Sequence, residues 1–205
     1  MANNYVLSDT LSAPARPWAA TQQIMDEALI GGIAAGDKLS MRVLFARHHT
    51  RVYRFVLRLA GDETIAEDVV SEVFYEVWRQ ASRFEARSQV STWLLAIARY
   101  RTLTALKRRS DARLESDAVA EIEDPAADPE LAIQTKDRND VLRQCLMQLS
   151  PAQREVIDLI YYHEKSAAEV AAIVGIPRNT VKTRMFSARK KLSELLKDAG
   201  IEAWT

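Results

Sequence analysis

The chain of 205 residues is long enough for one or two domains, and hydrophobic residues make up 48% of it, which suffices to bury compact cores. Its one cysteine, Cys145, excludes a disulfide framework, and the three histidines form no ligand pattern with it, so we predict neither a metal nor a cofactor. We find no signal peptide and no run of the ~20 apolar residues needed to span a bilayer, which predicts a cytoplasmic protein without membrane contact.

The 28 basic and 28 acidic residues cancel in number but are distributed unevenly. Residues 42–110 contain thirteen basic and seven acidic residues, and residues 141–205 contain ten and seven. Between them, residues 111–140 contain three basic and ten acidic residues, and residues 1–41 contain two and four. Two basic segments separated by an acidic one are typical of a protein that binds a polyanion at two places.

The first part of the chain is predicted to be helical after a flexible start. Residues 1–23 contain two prolines among small and polar residues, which favours a loose segment. Helical periodicity begins near Ile24, and a long helix is expected from about Lys38 to Leu59. One side of that helix is apolar, and the other carries arginines at steps of three and four, Arg47, Arg51, Arg54 and Arg58.

An acidic helix is predicted next, from about Thr64 to Ala81. Thr64 and Glu67 have the spacing of a capping box. The acids of the helix fall in a stripe, with Glu63 and Glu67 one turn apart and Asp68, Glu72 and Glu76 a turn apart each. Like charges at this spacing repel by roughly 0.2–0.5 kcal/mol per pair. The helix therefore either presents an acidic face to a basic partner or has a solvated face that the neighbouring arginines compensate.

Aromatic rings and cations are mixed in the stretch that follows. A polar loop is expected at residues 82–91, and then a helix from Thr92 to about Arg109, in which Trp93 and Tyr100 lie among arginines. Rings and cations together are typical of single-stranded DNA binding, because unstacked bases are held on rings. The alternative is that Trp93 packs in the core and the arginines are simply solvated.

Composition changes in the middle of the chain. Aspartate, glutamate, alanine and two prolines dominate residues 110–135, which predicts a flexible acidic linker. A short helix is expected from Asp140 to Leu149. Another helix, with Ser150 and Gln153 at its start, should run to about Tyr162.

Two short helices around a tight turn are predicted between Ser166 and Leu192. Ser166 and Glu169 have capping-box spacing, and Gly175 suits a left-handed helix end. The second helix has no acid within residues 178–191, and its apolar stripe lies opposite a polar side. Cations at its edges can hold phosphates while short polar groups meet base edges, which predicts a helix-turn-helix in a DNA major groove. The alternative is a solvated basic helix in an ordinary bundle.

Three stretches together resemble the sigma factors of bacterial RNA polymerase, in the compact extracytoplasmic-function class of the sigma-70 family. They are IAEDVVSEVF from Ile65, TWLLAIAR from Thr92, and LSPAQREV from Leu149 together with TVKTR from Thr180. We therefore expect an all-α fold of two small helical domains joined by a flexible acidic linker, the second containing the helix-turn-helix. The expected divisions are a flexible N-terminus (1–23), a region 2-like domain (24–109), the linker (110–139) and a region 4-like domain (140–205).

The resemblance also implies roles for individual residues. Contacts to core RNA polymerase would come from Glu67, Asp68, Glu72 and Glu76. Capture of the separated −10 element would involve Phe84, Arg87, Trp93, Arg99, Tyr100 and Arg101. Reading of the −35 element would involve Arg178, Asn179, Thr180, Lys182, Thr183 and Phe186. Tyr100, Thr104 and Asn179 stand where family members often have Asn, Asp and Gly, so the base preference at both elements stays open.

The function implied is promoter recognition and transcription initiation with core RNA polymerase, for a stress regulon and under the control of an anti-sigma factor. A stand-alone helix-turn-helix regulator is the alternative, and it would account for residues 150–197 but not for the acidic and aromatic helices before them. An enzyme is not expected, because the sequence has no glycine-rich phosphate loop, no metal-ligand set and no nucleophile with a paired base.

Overall fold

The computed structural model describes residues 17–116 and 141–200, and all regular structure within these two ranges is helical, as the sequence predicts. The helices are α1 (Pro17–Ala34), α2 (Lys38–Ala60), α3 (Glu63–Gln80), a 3-10 turn (Ala81–Arg83), α4 (Val90–Ser116), α5 (141–147), α6 (Pro151–Tyr161), α7 (Ala167–Val174) and α8 (Arg178–Asp198). None of the helices in the described ranges is both long and apolar enough to cross a membrane.

Helices α1 to α4 form an N-terminal bundle. In it α2, α3 and α4 contact one another, and α1 contacts α2 and the 3-10 turn. The core consists of apolar side chains at helical spacing, Leu44, Val52, Phe55 and Val56 from α2, Val69, Val73 and Val77 from α3, and Leu94, Leu95 and Ala98 from α4. Burying a side chain the size of valine, leucine or phenylalanine stabilises the fold by roughly 1.5–3 kcal/mol. Because the apolar face of each helix is buried in this way, the residues of its opposite face are left exposed to solvent.

Helices α5 to α8 form a C-terminal bundle around α6, which packs on α7 and α8. Its core is made of Val156, Ile157 and Leu159 from α6, Val170, Ile173 and Val174 from α7, and Val181, Met185 and Ala188 from α8. The predicted cap of α6 is confirmed, because Gln153 N donates to Ser150 Oγ at 3.3 Å and Ser150 N donates to Gln153 Oε1 at 3.1 Å. The two bundles pack against each other where α4 meets α7.

Several helix starts and ends differ from the sequence expectation, among them the start of α4, which is Val90 instead of Thr92. The predicted capping box at Thr64 is wrong, because α3 begins one residue earlier and Asp62 accepts a hydrogen bond from Ile65 N at 3.0 Å. Aspartate and threonine are both favoured at the N-cap of a helix, so the sequence alone does not decide between Asp62 and Thr64. Helix α1 begins at Pro17, before the helical periodicity that starts near Ile24. Helix α4 continues through residues 110–116, into the expected linker. The rest of that linker and residues 1–16 lie outside the described residues.

A buried charge cluster joins α1 to α2. The carboxylate of Asp26 lies 2.8 Å from His48 Nε2 and accepts a hydrogen bond from Arg47. Asp26 and His48 are both buried. Burial raises the pKa of Asp26, but the hydrogen bonds and charges of His48 and Arg47 outweigh it and hold that pKa below its ordinary value. The ionised carboxylate is therefore the form that the fold stabilises.

Replacing Asp26 with Asn should lower the free energy of unfolding at pH 7 by about 2–3 kcal/mol, since a charged hydrogen-bond acceptor is lost. Because the folded pKa is the lower one, the stabilisation from Asp26 is present above about pH 4 and disappears as the pH falls through the folded pKa. Urea unfolding from pH 7 to pH 3 should therefore show the wild type and Asp26→Asn converging in acid. Asp111→Asn, at an exposed site, is the control, and an equal loss there would refute the assignment.

Candidate nucleic-acid interfaces

Local sequence chemistry sets the geometry of the helix-turn-helix. Ser166 caps α7, with Glu169 N donating to Ser166 Oγ at 3.3 Å and Ser166 N donating to Glu169 Oε2 at 2.9 Å. Gly175 then ends the helix with a φ of 74°, a left-handed conformation that a side chain at this position would strain. Both features confirm the sequence prediction. They turn the chain so that α8 begins at Arg178, directly after Pro177.

Helix α8 has a buried stripe and an exposed face, as its periodicity predicts. Val181, Met185 and Ala188 are buried against α6 and α7. The predicted DNA-contacting residues lie on the outer side, where Thr180 is half-buried and the others are exposed: Arg178, Asn179, Lys182, Thr183 and Phe186. The ring of Phe186 is 72% exposed, an unusual position for an apolar side chain on a basic surface. The outer face therefore presents cations, amide and hydroxyl groups and one apolar side chain next to one another. This combination suits contact with base edges in a DNA groove.

Two aromatic residues predicted for unpaired DNA lie close together. The rings of Phe84, which follows the 3-10 turn, and Trp93, in α4, have centroids 4.9 Å apart and are tilted by 44°. Both are half-buried, so Trp93 combines core packing with an accessible edge. Tyr100 lies further along α4 and is 68% exposed, and the exposed Arg87 pairs with Glu85 at 2.5 Å.

The other two cations predicted for this surface are held by carboxylates. Arg99 Nε lies 2.6 Å from Glu155 Oε1, and Arg99 Nη2 lies 3.5 Å from Glu155 Oε2. Arg101 Nη2 donates to Glu76 Oε2 at 2.6 Å. The first of these contacts joins α4 to α6 across the two bundles. The second joins α4 to α3 within the N-terminal bundle.

The acidic residues of α3 fall into two groups. Glu67, Asp68 and Glu72 are exposed, and they form the outer acidic face of α3. Glu76 is only 8% exposed, and it accepts hydrogen bonds from Arg101 and Gln80. The spacing of the four acids in the sequence does not predict that Glu76 alone is buried. Glu76 is buried because it pairs with Arg101 of α4, more than twenty residues later in the sequence.

Two exposed aromatic residues, Tyr75 and Trp78, lie near the acidic face of α3. Tyr75 is 63% exposed, and the guanidinium of Arg79 lies 5.9 Å from the centroid of its ring. The sequence patterns described above give neither ring a contact role. Large exposed rings next to charged groups are typical of protein–protein contact surfaces.

A buried lysine, missed by the sequence analysis, connects the two bundles. Lys165 is 4% exposed, and its Nζ donates to Ser91 Oγ at 2.6 Å, Thr92 Oγ1 at 2.9 Å and Gln89 Oε1 at 3.3 Å. Thr92 Oγ1 also donates to Glu169 Oε1 at 2.7 Å. We call these five residues the Lys165 cluster. Lys165 Nζ also pairs with Glu169 Oε1 at 3.2 Å, four residues later. The sequence gives no signal for the rest of the cluster, because Gln89, Ser91 and Thr92 lie more than seventy residues away.

The charges in the Lys165 cluster are only partly compensated. Burial lowers the pKa of Lys165, although the carboxylate of Glu169 acts in the opposite direction. Burial raises the pKa of Glu169, but hydrogen bonds from Thr92 and Ser166 and the charge of Lys165 outweigh it and hold that pKa below its ordinary value. The desolvation of Lys165 is thus not fully offset by Glu169, and its pKa lies below the ordinary value.

A second set of contacts joins α2 to the C-terminal bundle. Arg58 pairs with Asp158, and its guanidinium lies 4.0 Å from the centroid of the Tyr162 ring. The ring of Phe55 meets the buried His163 edge-on, with centroids 5.4 Å apart. Within the described ranges, no group of three His, Cys, Asp or Glu side chains is arranged to hold a metal ion.

Comparison with known proteins identifies the family. The Sigma-70 region 2 family matches residues 44–112, and the Sigma-70 region 4 family matches residues 139–192. The ECF RNA polymerase sigma factor SigK of Mycobacterium bovis BCG is 31% identical over 174 residues, which cover 83% of this chain and 92% of SigK. SigL of Mycobacterium tuberculosis (strain Erdman) is 32% identical over 181 residues, which cover 85% of this chain and 98% of SigL.

Two solved structures have the same fold. The sigma factor RpoE of Bartonella quintana, in complex with the anti-sigma factor NepR, aligns with a TM-score of 0.64 at 27% identity, over 76% of this chain and 96% of that one. CnrH, in complex with the cytosolic domain of CnrY, aligns with a TM-score of 0.62 at 23% identity, over 85% and 98%.

The chain belongs to the extracytoplasmic-function RNA polymerase sigma factors of the sigma-70 family. It is therefore a transcription initiation factor that recognises promoters together with RNA polymerase, and it is not an enzyme. The family resemblance drawn from its sequence is confirmed.

Proposed function

We propose that the outer face of α8 reads the −35 element, through Arg178, Asn179, Thr180, Lys182, Thr183 and Phe186. The observation that carries this proposal is that the accessible side of α8 is the polar and basic one while its apolar side is buried. Cations at both edges would position the helix on phosphates, and Asn179, Thr183 and Phe186 would contact base edges. The hydroxyl of Thr183 already donates to Asn179 O at 3.0 Å, so its remaining lone pairs would serve as acceptors for base donors.

The N-terminal bundle would capture the separated −10 element. Phe84, Trp93 and Tyr100 supply rings, and Arg87, Arg99 and Arg101 supply cations, around the start of α4 and the loop before it. Stacking on an aromatic ring is worth roughly 1–3 kcal/mol per base, comparable to the cost of unstacking that base. In this proposal, residues 24–109 and 140–205 act as the two promoter-binding domains and residues 110–139 as the linker between them.

The outer acidic face of α3 would bind core RNA polymerase. Glu67, Asp68 and Glu72 are directed outward, and the neighbouring Tyr75 and Trp78 add exposed apolar area. Glu76 would act on this surface through Arg101 rather than by direct contact, because its carboxylate is already engaged. A basic partner surface would match this charge pattern.

The relatives support a proposal for how this chain is regulated. RpoE and CnrH were solved with a partner protein bound, and RpoE's partner is named an anti-sigma factor. We propose that this chain is likewise held by an anti-sigma factor, acts in the cytoplasm and serves a stress regulon.

Transcription in vitro tests the proposal. The purified chain is mixed with core RNA polymerase of the organism that carries it and with sheared genomic DNA, and the 5′ ends of the transcripts are sequenced. We expect discrete start sites that share two upstream elements and that require both proteins. Duplex binding by the chain alone, with no polymerase association and no initiation, would favour the stand-alone regulator instead.

A further inference from the structure

A cation of α8 that is not among the predicted DNA-contacting residues is held by the neighbouring helix α6. Arg189 Nε donates to the hydroxyl of Tyr161, the last residue of α6, at 2.9 Å, and its guanidinium lies 5.7 Å from the centroid of the Tyr161 ring. Both residues are exposed, Tyr161 by 54%. The contact therefore orients a charge that faces solvent without burying it.

The group that holds Arg189 carries no charge. Within residues 17–116 and 141–200, no carboxylate forms an ion pair with Arg189, whereas acids pair with five other arginines, Arg47, Arg58, Arg99, Arg101 and Arg109. The Tyr161 hydroxyl occupies only Nε, so the two Nη nitrogens and the full positive charge stay available to an anion. A guanidinium presents these nitrogens as a fork that matches the oxygens of a phosphate.

Arg189 lies on the same edge of α8 as two cations already proposed to position the helix on DNA. On a helix with 3.6 residues per turn, Arg178, Lys182 and Arg189 fall within about 40° of one another. Helical side chains lean toward the N-terminus, which favours a position of the Arg189 guanidinium on the side of Lys182. No acid occurs within residues 178–191 to compensate this row of cations. Such a row is typical of a surface that binds a polyanion.

We propose that Arg189 binds a backbone phosphate of promoter DNA, beyond the contacts of residues 178–186, and that Tyr161 is the positioning residue that holds its guanidinium for this contact. The inference rests on the proposed −35 role of α8 and extends it to a phosphate ligand supported from α6. The contact adds affinity but no base preference, because phosphates are alike in every sequence. Since Tyr161 restricts a long side chain before DNA arrives, less conformational entropy is lost on binding.

Substitutions at both ends of the hydrogen bond between Tyr161 and Arg189 test this. Arg189→Gln removes the charge, Arg189→Lys keeps it, and Tyr161→Phe keeps the ring and removes only the hydroxyl. Lys191→Gln is the matched control, because Lys191 is an exposed cation of the same helix that lies about 160° around it from Arg189. Binding of the full chain to a labelled DNA duplex of mixed sequence is followed by anisotropy over a series of salt concentrations. Thermal unfolding shows whether each variant is folded.

We expect Arg189→Gln to weaken duplex binding roughly five- to tenfold relative to Lys191→Gln and to lower the slope of log affinity against log salt by about 0.9. Arg189→Lys should restore the slope. Tyr161→Phe should weaken binding roughly two- to fourfold with the slope unchanged, because the charge remains but is no longer held. The double variant of Tyr161→Phe with Arg189→Gln should lose no more than Arg189→Gln alone, since the hydroxyl acts only through Arg189.

Equal losses in Arg189→Gln and Lys191→Gln would overturn the inference. A Tyr161→Phe variant that unfolds at a lower temperature but binds duplex like the wild type would overturn it too, because the contact would then only join α6 to α8. Additive losses in the double variant would refute the positioning role of Tyr161. The proposed −35 role survives each of these results if Arg178→Gln with Lys182→Gln still weakens duplex binding, and it fails as well if that pair has no effect.

Discussion

Reversing two charges on the outer acidic face of α3, by Glu67→Lys with Asp68→Lys, is expected to abolish binding to core RNA polymerase without unfolding the chain. Both side chains are exposed, and neither forms an ion pair within the described ranges, so the substitutions break no internal ion pair there. Placing like charges across an interface costs several kcal/mol, and each 1.4 kcal/mol is tenfold, so we expect a loss of about 100-fold or more. Titration of immobilised core polymerase with the labelled chain measures it.

The matched control reverses two exposed acids near the end of α8, Glu194→Lys with Asp198→Lys. It changes the net charge equally and should leave polymerase affinity within about threefold of the wild type, as expected for charges outside the interface. If both double variants lose affinity alike, the effect is one of overall charge. If neither does, the outer acidic face of α3 is not the docking surface.

Neutralising the cations at the start of α8, by Arg178→Gln with Lys182→Gln, should weaken duplex DNA binding about 10- to 100-fold at moderate salt. Each phosphate contact releases counterions, and the slope of log affinity against log salt changes by about 0.9 per contact. If both residues hold phosphates, the slope should fall by about 1.8. Fluorescence anisotropy with a labelled duplex over a series of salt concentrations gives the affinity and the slope together.

Lys38→Gln with Lys197→Gln is the control for this experiment, because both lysines are exposed and lie outside residues 178–186, the segment proposed to contact DNA. We expect that pair to leave the salt slope nearly unchanged. A drop of the same size in the control would mean that duplex binding is a property of the whole basic surface. Unchanged binding in the α8 variant would remove the −35 role from this face.

The helix-turn-helix could be predicted closely because its determinants are local. The cap at Ser166, the stop at Gly175 and the buried stripe of α8 all depend on residues within a few positions of one another. Such short-range signals are present in the sequence itself. The start of α3 was mispredicted for a related reason, since Asp62 and Thr64 are both good caps and only the packed helix chooses between them.

The roles of the charged side chains could not be predicted in the same way. Glu76 and Glu72 look alike in the sequence, yet one is buried against Arg101 and the other is exposed. Arg99 was predicted to contact DNA, and no pattern indicated that Glu155, more than fifty residues later, would pair with it. Both pairings depend on how α4 packs against α3 and α6. This packing is a property of the tertiary structure, which no local sequence pattern indicates.

The extension of α4 to Ser116 affects how far apart the two halves of a promoter can lie. A helix advances about 1.5 Å per residue, whereas an extended chain spans about 3.3–3.6 Å. Residues 110–116 thus cover about 10 Å instead of about 24 Å. If the two bundles hold the two promoter elements as proposed, one molecule with α4 extended in this way would bridge a narrower range of spacer lengths than the number of its linker residues implies, and spacer length would help to determine which genes it serves.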